Sequence, residues 1–229
     1  MSSGDASPAR IFGDEWFSSF APATQDLLLT RGRPLHVRSG NFVLRRGDAA
    51  NGLFGVVSGV LAASSLIQDG RQIIFGLLEA GDWFGEASCL DGLPRTHDIE
   101  TLQDSDLLHV EPPVFEEAMR DARFARAIAI LQTARVRAMF SFFEDAALRD
   151  TRTRLARRLL KLVRGDARVH PLSRNVIRIT HETLAMMLGV TRQTLSLELK
   201  ALAASGAVSL SYGRIVIESE QTLRDLGGG

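Results

Sequence analysis

Leu184-Ala185-Met186-Met187-Leu188-Gly189-Val190-Thr191-Arg192-Gln193-Thr194 decides the reading of the C-terminal third of this chain. Leu184, Ala185 and Leu188 recur at helical spacing, and the small Ala185 lets a second helix approach closely. Gly189 suits the left-handed residue that closes a helix, and Val190 supplies an apolar plug beneath the turn. Thr180 and Thr191 stand where side-chain oxygens cap two successive helices, with Glu182 in the first turn of the earlier one. Leu195, Leu199 and Leu202 then face inward on a second helix reaching Ala204, and Ser205-Gly206 stops it. This is helix-turn-helix spacing.

Upstream, Val176-Ile177-Arg178-Ile179 alternates as a strand. Downstream, residues 208–210 and 215–217 flank Ser211-Tyr212-Gly213-Arg214, a hairpin placed to form a wing. The first turn of the second helix is the part that enters a major groove. Arg192 and Gln193 lie there and suit base edges, since Arg forks onto guanine and Gln onto adenine. Thr183, Thr194 and Lys200 suit phosphates, which position a protein without reading sequence. Thr191 and Ser196 complete the candidate DNA-binding set. Charge agrees with double-stranded DNA as partner. The 27 Lys+Arg and 27 Asp+Glu cancel overall, but residues 150–229 carry 13 basic against 7 acidic side chains, a net of +6.

From Pro34 to Val110 short apolar runs alternate with turn dipeptides. The runs are 35–37, 42–44, 53–57, 60–61, 73–78 and 107–110; the breaks include Asn51-Gly52, Ser58-Gly59, Asp69-Gly70 and Gly81-Asp82. Such spacing predicts a small rolled antiparallel structure. Before it, residues 14–30 read as one or two short helices packed outside the roll. After Pro112-Pro113 the chain lacks Gly and Pro as far as Val163, and Val136, Met139 or Phe140, Phe143 and Ala147 form an apolar stripe on a long helix. A helix longer than the roll can cover predicts a dimer seam along that stripe.

Composition narrows the function classes. A 45% hydrophobic and 24% charged chain is ordinary for a globular protein, and no apolar run approaches membrane-spanning length. Met1 to Arg10 lacks the apolar core of a secretion signal, so the cytoplasm is the expected location. With Cys89 alone, no multi-cysteine metal cage, haem site or iron–sulfur cluster is expected, and Cys89 itself is expected in the core. His36, His97, His109, His170 and His181 are scattered, no nucleophile–base pairing stands out, and an enzyme is not expected. Trp16 and Trp83 are expected in the core.

Phe84-Gly85-Glu86-Ala87-Ser88-Cys89-Leu90-Asp91-Gly92-Leu93-Pro94-Arg95-Thr96 carries the second motif. It resembles the phosphate-binding cassette of cyclic-nucleotide-binding domains: Gly-Glu, then nine residues from Glu86 to Arg95, then a hydroxyl residue. With the helix-turn-helix behind it, the chain resembles the Crp/Fnr superfamily of regulators, from residue 30 to residue 220. The resemblance implies an α+β fold with three parts. These are an N-terminal cyclic-nucleotide-binding β-roll (jelly-roll) with its helices at 1–112, a dimerisation helix at 113–148, and a winged helix-turn-helix at 149–229. It also implies a homodimer on a palindromic operator, with RNA polymerase as a further partner through the loop Arg164 to Arg174.

Under that resemblance, the amides of Gly85, Glu86 and Ala87 cradle a phosphate, and Arg95 forks onto it. Glu86 accepts from a ribose hydroxyl, and Thr96 donates to a phosphate oxygen. Met139 and Phe140 stand where the cyclic AMP receptors offer a Thr-Ser pair to the base. Neither hydrogen-bonds a base edge, so the effector is cyclic AMP held by apolar contact or another nucleotide, cyclic di-GMP foremost. Val136, Met139, Phe140 and Phe143 are the expected dimer interface. In the second helix, Gln193 and Leu197 replace a common Glu and a common Arg, which implies an altered half-site. Two alternatives share these motifs: an effector-independent regulator of the same fold, and a nucleotide-binding regulatory subunit that binds no DNA.

Overall fold

The computed structural model describes residues 15–66, 72–165 and 174–228. The Asp69-Gly70 turn, residues 166–173 of the Arg164–Arg174 loop and the segment before residue 15 lie outside them. The described residues form two compact units, one drawn from Met1–Ser65 and Leu77–Ala134, the other from Leu66–Gly76 and Arg135–Gly229.

The roll is built from β1 (Arg33–Val37), β2 (Phe42–Leu44), β3 (Leu53–Ser58), β4 (Val60–Leu66), β5 (Gln72–Glu79), β6 (Trp83–Phe84), β7 (Asp98–Thr101) and β8 (Ser105–Val110). They form two four-stranded sheets, in the orders β1-β8-β3-β6 and β2-β7-β4-β5. Antiparallel registers such as Val56↔Leu107 and Ala63↔Ile99 bring inward-facing residues together. Leu44, Phe54, Val56, Leu61, Phe84, Ile99 and Leu107 make the core between them. Gly59, at φ +95°, joins β3 to β4; a Cβ there would lie 2.1 Å from Ser105 Oγ, so the turn requires glycine on both conformational and steric grounds. β6 and β7 fall outside the expected runs.

Two N-terminal helices, α1 (Glu15–Ser18) and α2 (Pro22–Arg31), cover the roll as expected. Aromatic packing holds them. The Phe17 ring stacks on Trp83 at 6.0 Å, and Phe20 meets Phe124 edge-on at 5.1 Å. Trp16 and Trp83 are both buried, as expected, and Trp16 Nε1 donates to Ala127 O at 3.3 Å. The short helix α3 (Glu86–Asp91) lies between β6 and β7.

The stretch 113–148, read above as one helix, is divided into α4 (Pro112–Ala118) and α5 (Ala122–Leu148). Asp121 causes the division. Its Oδ1 accepts from the Arg123 amide at 2.9 Å, while Oδ2 accepts from the Ala21 amide at 3.0 Å and Thr24 Oγ1 at 2.9 Å. One carboxylate therefore starts α5 and ties it to α2. The Arg123 amide first, then Ala21 and Thr24, hold the Asp121 pKa below its ordinary value against a desolvation penalty. The resulting stability is present above the ordinary aspartate range and is lost as pH falls through the lowered value. Asp121→Ala is expected to destabilise the protein by about 1–2 kcal/mol at neutral pH. In denaturant titrations the gap from wild type should close on acidification; a gap independent of pH would remove the carboxylate from this role.

The second unit holds the C-terminal half of α5, α6 (Thr151–Arg164), α7 (His181–Leu188), α8 (Arg192–Ala204) and α9 (Glu220–Leu226). Its sheet runs β10 (Val208–Ser211), β11 (Arg214–Ile217), β9 (Val176–Arg178). Asp150 caps α6 by accepting from the Thr153 amide at 2.9 Å. The nearly buried Asp145 of α5 accepts from Arg157 Nε at 2.7 Å and Lys161 Nζ at 2.9 Å, fastening α5 to α6. Leu155, Leu159, Leu184, Leu188, Leu195, Leu199 and Leu202 are buried in the helical core of this unit.

Candidate functional site

The cassette folds around Gly85, whose φ of +94° sets the turn from β6 into α3; a Cβ there would come within 2.8 Å of Gly52 O. Glu86 opens α3 and is 0% exposed, with Oε1 accepting from Gln132 Nε2 of α5 at 2.9 Å. Arg95 is 4% exposed and turned inward. Its Nη1 donates to Gly85 O at 2.5 Å, and its Nη2 donates to Asn51 Oδ1 at 2.7 Å and Gly52 O at 2.8 Å. The buried Arg95 Nε has no hydrogen-bond partner among the described residues. Burial lowers the Arg95 pKa, and the neighbouring Cys89 and Glu86 oppose that shift.

Gly85, Glu86 and Arg95 are thus brought together, with Ala87 exposed at the first turn of α3. Thr96 is exposed, its hydroxyl 2.8 Å from His97 Nδ1. Cys89 is half-buried rather than in the core as expected, on a short helix whose buried positions are taken by Glu86 and Ser88; burial still raises its thiol pKa, against the opposing charge of Arg95. Asn51 and Gln132 belong to this cluster and escaped the sequence reading, since each reaches its partner across more than 40 residues. Met139 and Phe140 lie in the second unit, on the C-terminal half of α5. There Val136, Met139, Phe140 and Phe143 are 48%, 72%, 71% and 73% exposed, a bare apolar stripe on one helix.

The helix-turn-helix folds as its caps predict. Thr180 Oγ1 accepts from the Thr183 amide at 3.0 Å and Thr191 Oγ1 from the Thr194 amide at 3.1 Å. Gly189, at φ +64°, closes α7, and the Val190 amide bonds Ala185 O at 3.1 Å. The Thr183 and Thr194 hydroxyls sit 2.8 and 2.9 Å from those of their capping threonines. Thr191, Arg192, Gln193 and Lys200 are exposed, and Thr183, Thr194 and Ser196 are half-buried beside them. The one carboxylate of α8, Glu198, accepts from Arg152 Nε of α6 at 2.7 Å, a contact the sequence reading missed. The wing tip presents Tyr212 and Arg214 to solvent.

Among the described residues no group of three or more His, Cys, Asp and Glu side chains could hold a metal ion, and no helix is long and apolar enough to cross a membrane.

Residues 34–122 match the cyclic nucleotide-binding domain family and residues 153–226 the Crp-like helix-turn-helix domain family, together well over half of the chain. The chain is 28% identical over 218 residues to a cyclic AMP receptor protein of Thermus thermophilus, covering 95% of this chain and 98% of that one. In fold it is similar to FixK2 from Bradyrhizobium japonicum, with a TM-score of 0.76, 22% identity, and 85% of this chain and 96% of that one covered. It is also similar to the c-di-GMP responsive global regulator CLP of Xanthomonas campestris, with a TM-score of 0.70, 20% identity, and 87% and 100% covered. A β-roll with its cassette, followed by a capped helix-turn-helix and wing, matched in that order by both families, means that the chain belongs to the Crp/Fnr superfamily of DNA-binding transcription regulators.

Proposed function

We propose that this regulator acts as a homodimer on a palindromic operator and is controlled by a cyclic nucleotide, cyclic AMP or cyclic di-GMP, in the β-roll. The observation that carries the dimer is the stripe of Val136, Met139, Phe140 and Phe143, exposed on the C-terminal half of α5, whereas Phe124, Ala127, Ile128 and Leu131 of its N-terminal half are buried. Pairing two such stripes buries them and doubles the basic DNA-binding module. Residues 1–112 form the effector part, 113–148 the dimer part and 149–229 the DNA part, with RNA polymerase a further partner.

In the effector part, the amides of Gly85, Glu86 and Ala87 with the Arg95 guanidinium receive the phosphate, Glu86 the ribose and Thr96 a phosphate oxygen. The effector biases how the two winged helices are held, by no more than its difference in affinity between the two arrangements. Only recognition helices about 34 Å apart match successive major grooves.

In the DNA part, Arg192 and Gln193 read base edges, while Thr183, Thr191, Thr194, Ser196 and Lys200 hold the backbone. Arg192→Ala is expected to cost about 1–3 kcal/mol of specific binding and to relax preference at one position of each half-site. Gel shifts with a selected duplex measure this, and an unchanged footprint would remove Arg192 from the reading set.

A second reading, the effector-independent regulator, draws support from Arg95, whose terminal nitrogens are already bonded to Gly85, Asn51 and Gly52. Calorimetry with cyclic AMP, cyclic GMP and cyclic di-GMP separates the two: saturable heat with any of them favours control, and none favours independence.

A further inference from the structure

Leu197 is 63% exposed in the middle of α8. The buried side of that helix is taken by Leu195, Leu199 and Leu202. Leu197 lies on the opposite side, one turn beyond Gln193 and one turn before Lys200. Around it on that side stand Gln193, Thr194, Lys200 and the small, half-buried Ala201, so it forms a single large apolar point rather than a patch able to dock another protein. Arg152 holds Glu198 away from this face at 2.7 Å, so the face carries cations and no carboxylate of its own helix.

We infer that Leu197 contacts a thymine methyl group in each operator half-site and selects thymine at that position. A major groove presents hydrogen-bonding edges from every base pair, and the thymine 5-methyl is its one apolar group. Leu197 has neither donor nor acceptor. Set against a cytosine amino group or a guanine oxygen, it removes water and supplies no replacement bond, which penalises those bases. Against a thymine methyl it buries apolar surface on both sides. Selection by the methyl therefore needs no polar partner.

The inference rests on the proposed DNA reading, and the test separates the two. The full chain is first used to select a duplex from random DNA. Each thymine of the selected half-site is then replaced by uracil, which pairs identically but lacks the methyl. For wild type, one such replacement should weaken binding about fourfold per half-site, the worth of one buried carbon. Leu197→Ala, at an exposed position, should fold normally and bind the thymine and uracil duplexes equally. If wild type binds its selected duplex but no uracil replacement matters, or if Leu197→Ala retains the sensitivity, the inference is overturned while the DNA reading stands. A chain that selects no duplex at all overturns both.

Discussion

Phe143→Glu is expected to leave the chain folded, monomeric and almost unable to hold its operator. Phe143 is 73% exposed, so the change removes no intrachain packing of consequence, and near-native circular dichroism should persist. In the proposed dimer the same position meets its own copy across a two-fold axis. Two carboxylates would then face each other in an apolar seam, each losing water without gaining a partner. Sedimentation should therefore show a single chain. Without the seam, the second winged helix no longer binds at the effective concentration set by the first. Operator affinity should fall about 10²- to 10⁴-fold, with no change in any DNA-contacting residue. A Phe143→Glu protein that stays dimeric would place the interface elsewhere.

Arg95→Ala is expected to act twice. The guanidinium bridges Gly85 O, Asn51 Oδ1 and Gly52 O, so it fastens the start of α3 to the segment leading into β3. Its removal leaves buried carbonyls without donors and a void lined by the cassette, at a cost of about 2–4 kcal/mol to stability. It also removes the cation proposed to receive the effector phosphate. Arg95→Lys keeps the charge but cannot reach those acceptors with a planar fork, so it should recover little of the stability. Thermal unfolding and nucleotide calorimetry on both variants check these outcomes. Unchanged stability would contradict the structural role, and unchanged effector response would contradict the binding role.

Much of this architecture is written locally. The Ser58-Gly59 turn is legible because only glycine fits there, and the helix-turn-helix because Thr180 and Thr191 cap successive helices while Gly189 closes the first. β7 is illegible for a physical reason: Thr101, a polar residue, points inward and is satisfied by donating to Arg38 O at 2.6 Å, so the strand shows little apolar alternation. The breaks at Asp121 and Asp150 are signalled by aspartate caps inside a stretch free of Gly and Pro, where chain breakers alone are a poor guide. In the cassette, Gly85, Glu86 and Arg95 follow from motif spacing. Asn51, Gln132 and the Arg152–Glu198 pair depend on tertiary contacts that no local pattern encodes.

In the proposed dimer, a paired helix holds two basic winged modules in register on one operator. Sedimentation of the full chain with the palindromic duplex it selects, repeated across salt concentrations, tests this most directly. Two chains per duplex are expected, with an affinity that drops steeply with salt, as counterions released from several phosphates require. A chain that stays single and leaves every duplex free at low ionic strength would contradict that arrangement.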